Sequence, residues 1–201
     1  MEIKNILTSL LFYLLSAFGI SLTIKANIGV SSFNSFNVAL SNVTLIKIGT
    51  ITTIINLIFL LFCILLNSEN KIKEYLLMFI ALIFFGIIIN IFLYTLLSNI
   101  NLKNYFLRII IFILGTTLAG LGKGKILKLG IFKFPIEYFS ILLSDKTSKP
   151  FKFYRYSIDI ICVVVSIFLS LNFKLPVVVR EGTIISLLML SGIISWSKNN
   201  I

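Results

Sequence analysis

The stretch KANIGVSSFNSF, residues 25–36, decides how this chain folds. It sets a lysine, two asparagines, a glycine and three serines into a sequence that is otherwise almost continuously apolar. The run before it, 6–24, can cross a bilayer, because about 20 apolar residues at a rise of 1.5 Å cover the hydrocarbon core. The amphipathic run that overlaps its end, 32–41, cannot: ten helical residues reach only about 15 Å. Such a segment either lies on the membrane surface or turns back into the bundle, where neighbouring spans shield its irregular backbone.

Composition supports a lipid solvent. Of 201 residues, 58% are apolar and 12% charged, and the mean hydropathy is +1.07. Soluble domains carry roughly 25% charged residues. The net charge of +11 therefore orients helices and touches anionic headgroups, rather than marking a nucleic-acid surface. The chain has no histidine, which removes His-ligated metal, Ser–His and Cys–His nucleophiles and the usual proton shuttle. Cys63 and Cys162 stand singly in apolar runs and read as small buried hydrophobes, not as a disulfide or metal pair. GLGKG, 120–124, lacks the lysine–serine ending and the preceding strand of a phosphate loop. No catalytic residue, metal or cofactor is expected, and the chain does not read as an enzyme.

The resulting fold class is all-α: a polytopic transmembrane helical bundle of five to six spans in one membrane domain, 1–201. Spans are expected near 6–24, 48–66, 75–97, 105–122 and 154–171, with a shorter sixth at 183–197. The first has no small-residue cleavage site and reads as a span rather than a signal peptide. A second short amphipathic stretch, 135–144, sits in the polar segment between the fourth and fifth spans. With the amino terminus inside, Lys4, Lys71, Lys73, the cations from Lys123 to Arg155 and Lys198 face the cytoplasm. Lys25, Lys47, Lys103, Arg108, Lys174 and Arg180 face out. Twelve against six of the 18 cations puts both termini in the cytoplasm of a cell (plasma) membrane. Trp196 and Tyr105 suit the interface.

An internal likeness appears at an offset of 103. Gly19 falls on Gly122, Lys25 on Lys128, Phe36 on Phe139, Leu40-Ser41 on Leu143-Ser144, Thr44 on Thr147 and Ile55 on Ile158. Polar positions pair by type: Asn34 with Glu137, Asn42 with Asp145, Asn56 with Asp159. Three spans separate the halves, 1–98 and 105–201, so the second enters the bilayer from the other side. That predicts a 3+3 inverted repeat, the plan of many secondary transporters, whose sites lie where broken helices meet.

Three stretches carry a resemblance to the YczE/YyaS/YitT family of bacterial integral membrane proteins, nearest its YczE-like branch. SAFGISLTIKANIGVSSFNSFNVALS (16–41) is similar to the first family signature, FPIEYFSILLSD (134–145) with FYRYSID (153–159) to the second, and VVVREGTIIS (177–186) to the closing glycine–threonine motif. In this resemblance Ser32, Phe33 and Asn34 stand where the family tends to have Pro, Trp and Asp. Pro135 and Glu137 stand at the matching second site, Arg155 and Asp159 at an Arg-x-x-x-acid pair, and Gly182 and Thr183 at the last motif. The resemblance implies an architecture and no activity.

The candidate site follows from charges and caps. Ser31 or Ser32 can cap the first short helix, Pro135 suits the first turn of the second, and Thr183 can cap the last span. Each helix start offers free N–H groups and partial positive charge. Arg155 and Asp159, four apart, form a natural pair in a place where lone charges are costly. Arg180 is expected to reach Glu137 if the halves close together. The expected polar cavity thus gathers Ser32, Asn34, Glu137, Arg155, Asp159, Arg180 and Thr183. Lys123, Lys125, Lys128 and Lys133 are expected to meet anionic headgroups. The leading function is a small-molecule transporter or solute-binding membrane subunit, with a homodimer or an energising subunit as partner. The alternative is a membrane accessory protein acting through its basic cytoplasmic loop, 123–155.

Overall fold

Helices form wherever the apolar runs allow and stop at the polar interruptions. A computed structural model describes residues 3–67 and 72–200; Lys71, counted above for orientation, lies outside them. The elements are α1 (Ile3–Ala26), α2 (Ser32–Thr44), α3 (Ile48–Leu66), α4 (Ile72–Ile91), α5 (Tyr105–Leu129), α6 (Pro135–Lys146), α7 (Phe151–Asn172) and α8 (Glu181–Asn200). A π-helical turn, Phe92–Leu96, carries α4 onward. The described residues are all-helical, without strands.

Five of these helices, in α1, α3, α4 with its π turn, α5 and α7, are long and apolar enough to cross a membrane. The 20-residue α8 has the length but is not among the five. Polarity runs inside-out. Leu, Ile and Phe side chains dominate the outer surface, while Ser16, Ser35, Asn37, Asn56, Glu137 and Ser166 are buried. An apolar exterior over a polar interior is stable against hydrocarbon, not against water.

The centre is an antiparallel crossing of α1 and α5, made possible by small residues. A Cβ on Gly19 would lie 2.5 Å from the Ala119 nitrogen and the Gly115 carbonyl oxygen. A Cβ on Gly122 would lie 2.6 Å from the Phe12 carbonyl oxygen and the Ser16 hydroxyl. Such small-residue contacts let helix backbones touch in lipid, where no hydrophobic force draws helices together. Around this pair, α4 packs on α1 and α8 packs on α5. The short helices cross over: α2 packs on α7 and α3, and α6 packs on α3 and α7.

Neither short helix lies flat on a surface. Ser32, Phe33, Asn34 and Ser35 are all buried, so the first turn of α2 is enclosed on every side. The same holds for Pro135 through Tyr138 at the start of α6. Phe33 of α2 and Ile136 of α6 share one apolar cluster with Ile51, Ile55 and Cys162.

Local structure recurs 103 residues on. The helices α2 and α6 begin at Ser32 and Pro135; α3 and α7 begin at Ile48 and Phe151. Asn27 and Gly130, just past α1 and α5, both take the left-handed conformation, with φ of 52° and 68°. Ser41 donates to the carbonyl of Ile46, and Ser144 to that of Lys149. Thr44 donates to Leu40 and Thr147 to Leu143 at 2.8 Å each.

Candidate functional site

Building the site starts with the amino end of α2. Ser31 occupies the cap position, but its hydroxyl makes no capping bond. The first backbone bond of the helix runs from the Ser35 N–H to the Ser31 carbonyl at 2.8 Å, so the N–H groups of residues 32–34 lack intrahelical acceptors. Here a cavity of about 10 Å³ opens between α1, α2, α5 and α8, lined by Thr23, Ser31, Asn34, Thr116, Lys123 and Ser186 with Ile20, Ala119 and Leu190. That volume is about the space of one water.

Lys123 joins this cavity to α6. It is 9% exposed. Its Nζ lies 3.9 Å from Glu137 Oε1 and 5.4 Å from the Phe134 ring centre. Charge-assisted hydrogen bonds run about 2.7–2.9 Å, so the ion pair is loose. Glu137 Oε2, Thr116 Oγ1, Ser32 Oγ and the Tyr13 hydroxyl are buried without hydrogen-bond partners. Unsatisfied polar atoms in a buried place are costly and call for an explanation. Through Lys123, Asn34 and Glu137 belong to one polar cluster.

The second charge pair lies beside the first. Arg155 Nη1 donates to Asp159 Oδ1 at 2.9 Å along α7, and both side chains are mostly buried. Asp159 interacts electrostatically with Glu137 and Lys123 as well as with Arg155. The four charges sum to zero, as a buried cluster requires.

Arg180 and Thr183 are placed elsewhere. Arg180 Nε lies 3.5 Å from Glu181 Oε2, and its Nη1 donates to the Asn27 carbonyl at 3.3 Å. The expected Arg180–Glu137 pair is therefore not formed: Lys123 takes Glu137, while Arg180 is held at the start of α8. Thr183 does not cap α8 from outside; it lies in the first turn, where its Oγ1 accepts from the Arg180 N–H at 3.2 Å. The Gly182 N–H donates to the Ile28 carbonyl at 2.8 Å. Gly29, at φ 115°, sits so close that a Cβ would lie 3.0 Å from the Thr183 nitrogen. The glycine–threonine motif thus welds the 27–30 loop to α8. From α8, Ser186, one turn on, and Leu190 reach the cavity.

Lys123 is the cavity residue that sequence reasoning left out of the polar site, and its burial sets it apart from the headgroup contact expected of it. A signal existed. Gly120 and Gly124 are one turn apart and pack on α8 at Ile193 and Ser197, while Gly122 packs on α1. A lysine between glycines that face two neighbours is enclosed. Lys133 is also engaged, 3.5 Å from Glu74 and 4.5 Å over the Tyr138 ring. Cys63 and Cys162 are free and buried, as expected.

Residues 3–199 match the family described as Family of unknown function (DUF6198). The chain belongs to that family. It is also similar to the "Uncharacterized protein YyaS" of Bacillus subtilis (strain 168), 28% identical over 164 residues that cover 82% of this chain and 78% of that protein. No solved structure matches the chain. Within this DUF6198 chain, the three motifs of the resemblance have distinct places. The first supplies the second half of α1, its turn and most of α2; the second supplies α6 and the Arg155–Asp159 pair; the third supplies the weld at α8.

Proposed function

We propose that this DUF6198 protein is a small-solute transporter, or the solute-binding membrane subunit of one, built from two inverted halves in a bacterial plasma membrane with both termini cytoplasmic. The single observation that carries the reading is the buried polar cluster in which Lys123 links the cavity at the start of α2 to Glu137 at the start of α6. Ionisable groups enclosed in a membrane bundle usually face a solute path or a partner. Two of the cluster's polar atoms, Glu137 Oε2 and Thr116 Oγ1, have no partner.

The inverted plan is supported by the structure that recurs at 103 residues and by the crossing of α2 onto α7 and α6 onto α3. Each short helix rests on the other half, so rocking one half against the other moves both helix starts around the cavity. Alternating access of this kind needs no substrate-specific machinery.

The test does not require the solute. Cys63 and Cys162 are replaced by Ala, and Thr116→Cys or Ser186→Cys is introduced at the cavity wall. Labelling with an impermeant thiol reagent is measured in right-side-out and inside-out vesicles. Transport predicts modification of the same position from both sides. Modification from one side only, or from neither, contradicts it.

A further inference from the structure

We infer that the cavity at the amino end of α2 seats a small anion or an anionic head group such as a carboxylate, and that Glu137 takes up a proton when it is filled. This inference rests on the solute-binding reading above. Four observations converge on the cavity. Its one charged wall residue is cationic, Lys123. The uncapped first turn of the 13-residue α2 begins there, and free N–H groups at a helix start attract negative charge. Thr116, 2% exposed, lines the same space with an unpartnered Oγ1. Asn34 adds an amide to the wall. A metal cation is disfavoured by the ammonium, and the described residues hold no group of three acidic, Cys or His ligands.

The proton follows from charge balance. As it stands, Lys123 neutralises Glu137, and Arg155 neutralises Asp159 at 2.9 Å. An anion drawing Lys123 across the cavity leaves Glu137 as an uncompensated buried carboxylate, which is strongly unfavourable. A proton taken from water with the anion restores neutrality. At 3.9 Å the ammonium lies outside hydrogen-bond range of Glu137. The titratable groups around Glu137 are Tyr13 on α1, Cys63 on α3, Lys123 on α5, and Arg155, Asp159 and Cys162 on α7. Asp159 already has Arg155 at 2.9 Å. Glu137, with an oxygen lacking any partner, is the group left to accept the proton. The cavity admits a head group only, so a larger solute requires the halves to part.

The experiment measures thermal stabilisation of the purified full-length protein in detergent by sodium formate, acetate, nitrate and chloride, at constant ionic strength against sodium gluconate. At least one of the four is expected to stabilise, with the apparent affinity rising as pH is lowered, by at most about tenfold per unit, the limit for linkage to one proton. Glu137→Gln, a neutral mimic of the protonated acid, is expected to bind at neutral pH and to lose the pH dependence. Lys123→Met is expected to lose binding. Should that variant fail to fold, the charge-balanced Lys123→Met/Glu137→Gln pair replaces it. No stabilisation by any of the four anions, or stabilisation that Glu137→Gln leaves equally pH-dependent, overturns the inference. Failure here with two-sided labelling at Thr116 intact removes only the anion assignment. Anion binding with one-sided labelling removes transport and leaves the seat.

Discussion

Ser16 on α1 donates a hydrogen bond, 3.1 Å long, to the carbonyl of Ala119 on α5, the residue 103 positions further along the chain. In the inverted-repeat reading, a residue that touches its own counterpart lies on the axis relating the two copies. The glycines on either side agree. Gly19 meets Gly115 and Ala119, and its counterpart Gly122 meets Phe12 and Ser16, the counterparts of those two. The centre of the bundle therefore has the contacts expected of a two-fold crossing of antiparallel helices.

Enlarging either central glycine is predicted to destabilise the protein by a similar amount. In Gly19→Val or Gly122→Val the new side chain meets backbone at 2.5–2.6 Å, which is an overpacking penalty of about 1–3 kcal/mol or more. Gly192→Val is the control, since a Cβ there meets nothing within 4 Å. Melting in detergent should fall for the first two and stay within about 0.5 kcal/mol for the third. A tolerated Gly122→Val would refute the crossing.

The Lys123–Glu137 pair is predicted to behave as a coupled buried unit. Lys123→Met or Glu137→Leu alone strands a buried charge, at a cost of about 3–5 kcal/mol, while the double substitution removes both charges and recovers much of the loss. Glu137→Leu and Arg180→Met, by contrast, should be additive, because the two are not partners. The check is a double-mutant cycle on unfolding midpoints. Additivity in the first cycle, or coupling in the second, contradicts the charge arrangement.

How far the sequence carried the fold is visible in particular residues. The starts of the short helices, Ser32 and Pro135, and the whole of α3 were legible, because polar interruptions and a proline mark ends sharply. The carboxyl half of α5 was not. Read locally, GKGKILKL looks like a membrane exit, since glycine is a poor helix former and lysines seek water. The helix continues to Leu129 because its glycines are packing surfaces for α1 and α8. The same tertiary fact buries Lys123 and gives Glu137 its partner, which is why Arg180 was the wrong guess. Pairings across helices are not written in one-dimensional spacing.

The weld at α8 is predicted to be a matter of stability, separate from the cavity. Gly29→Ala places a side chain at φ 115° and against the Thr183 nitrogen, a backbone strain of about 1–3 kcal/mol. Thr183→Val removes the acceptor of the Arg180 N–H, for about 1 kcal/mol. Thermal unfolding should register both losses, and the response of the folded fraction to anions should not change. Loss of that response without loss of stability would move the weld into the binding site.

Opposite orientation of the two halves is the claim on which the account stands, and it can be read directly at two exposed positions. Asn42 and Asp145 are counterparts near the carboxyl ends of α2 and α6, and both are exposed. In a protein without Cys63 and Cys162, Asn42→Cys and Asp145→Cys are labelled separately with an impermeant thiol reagent in intact cells and in inside-out vesicles. The account predicts that Asn42→Cys reacts only from outside and Asp145→Cys only from inside. Reaction of both from the same side would contradict it.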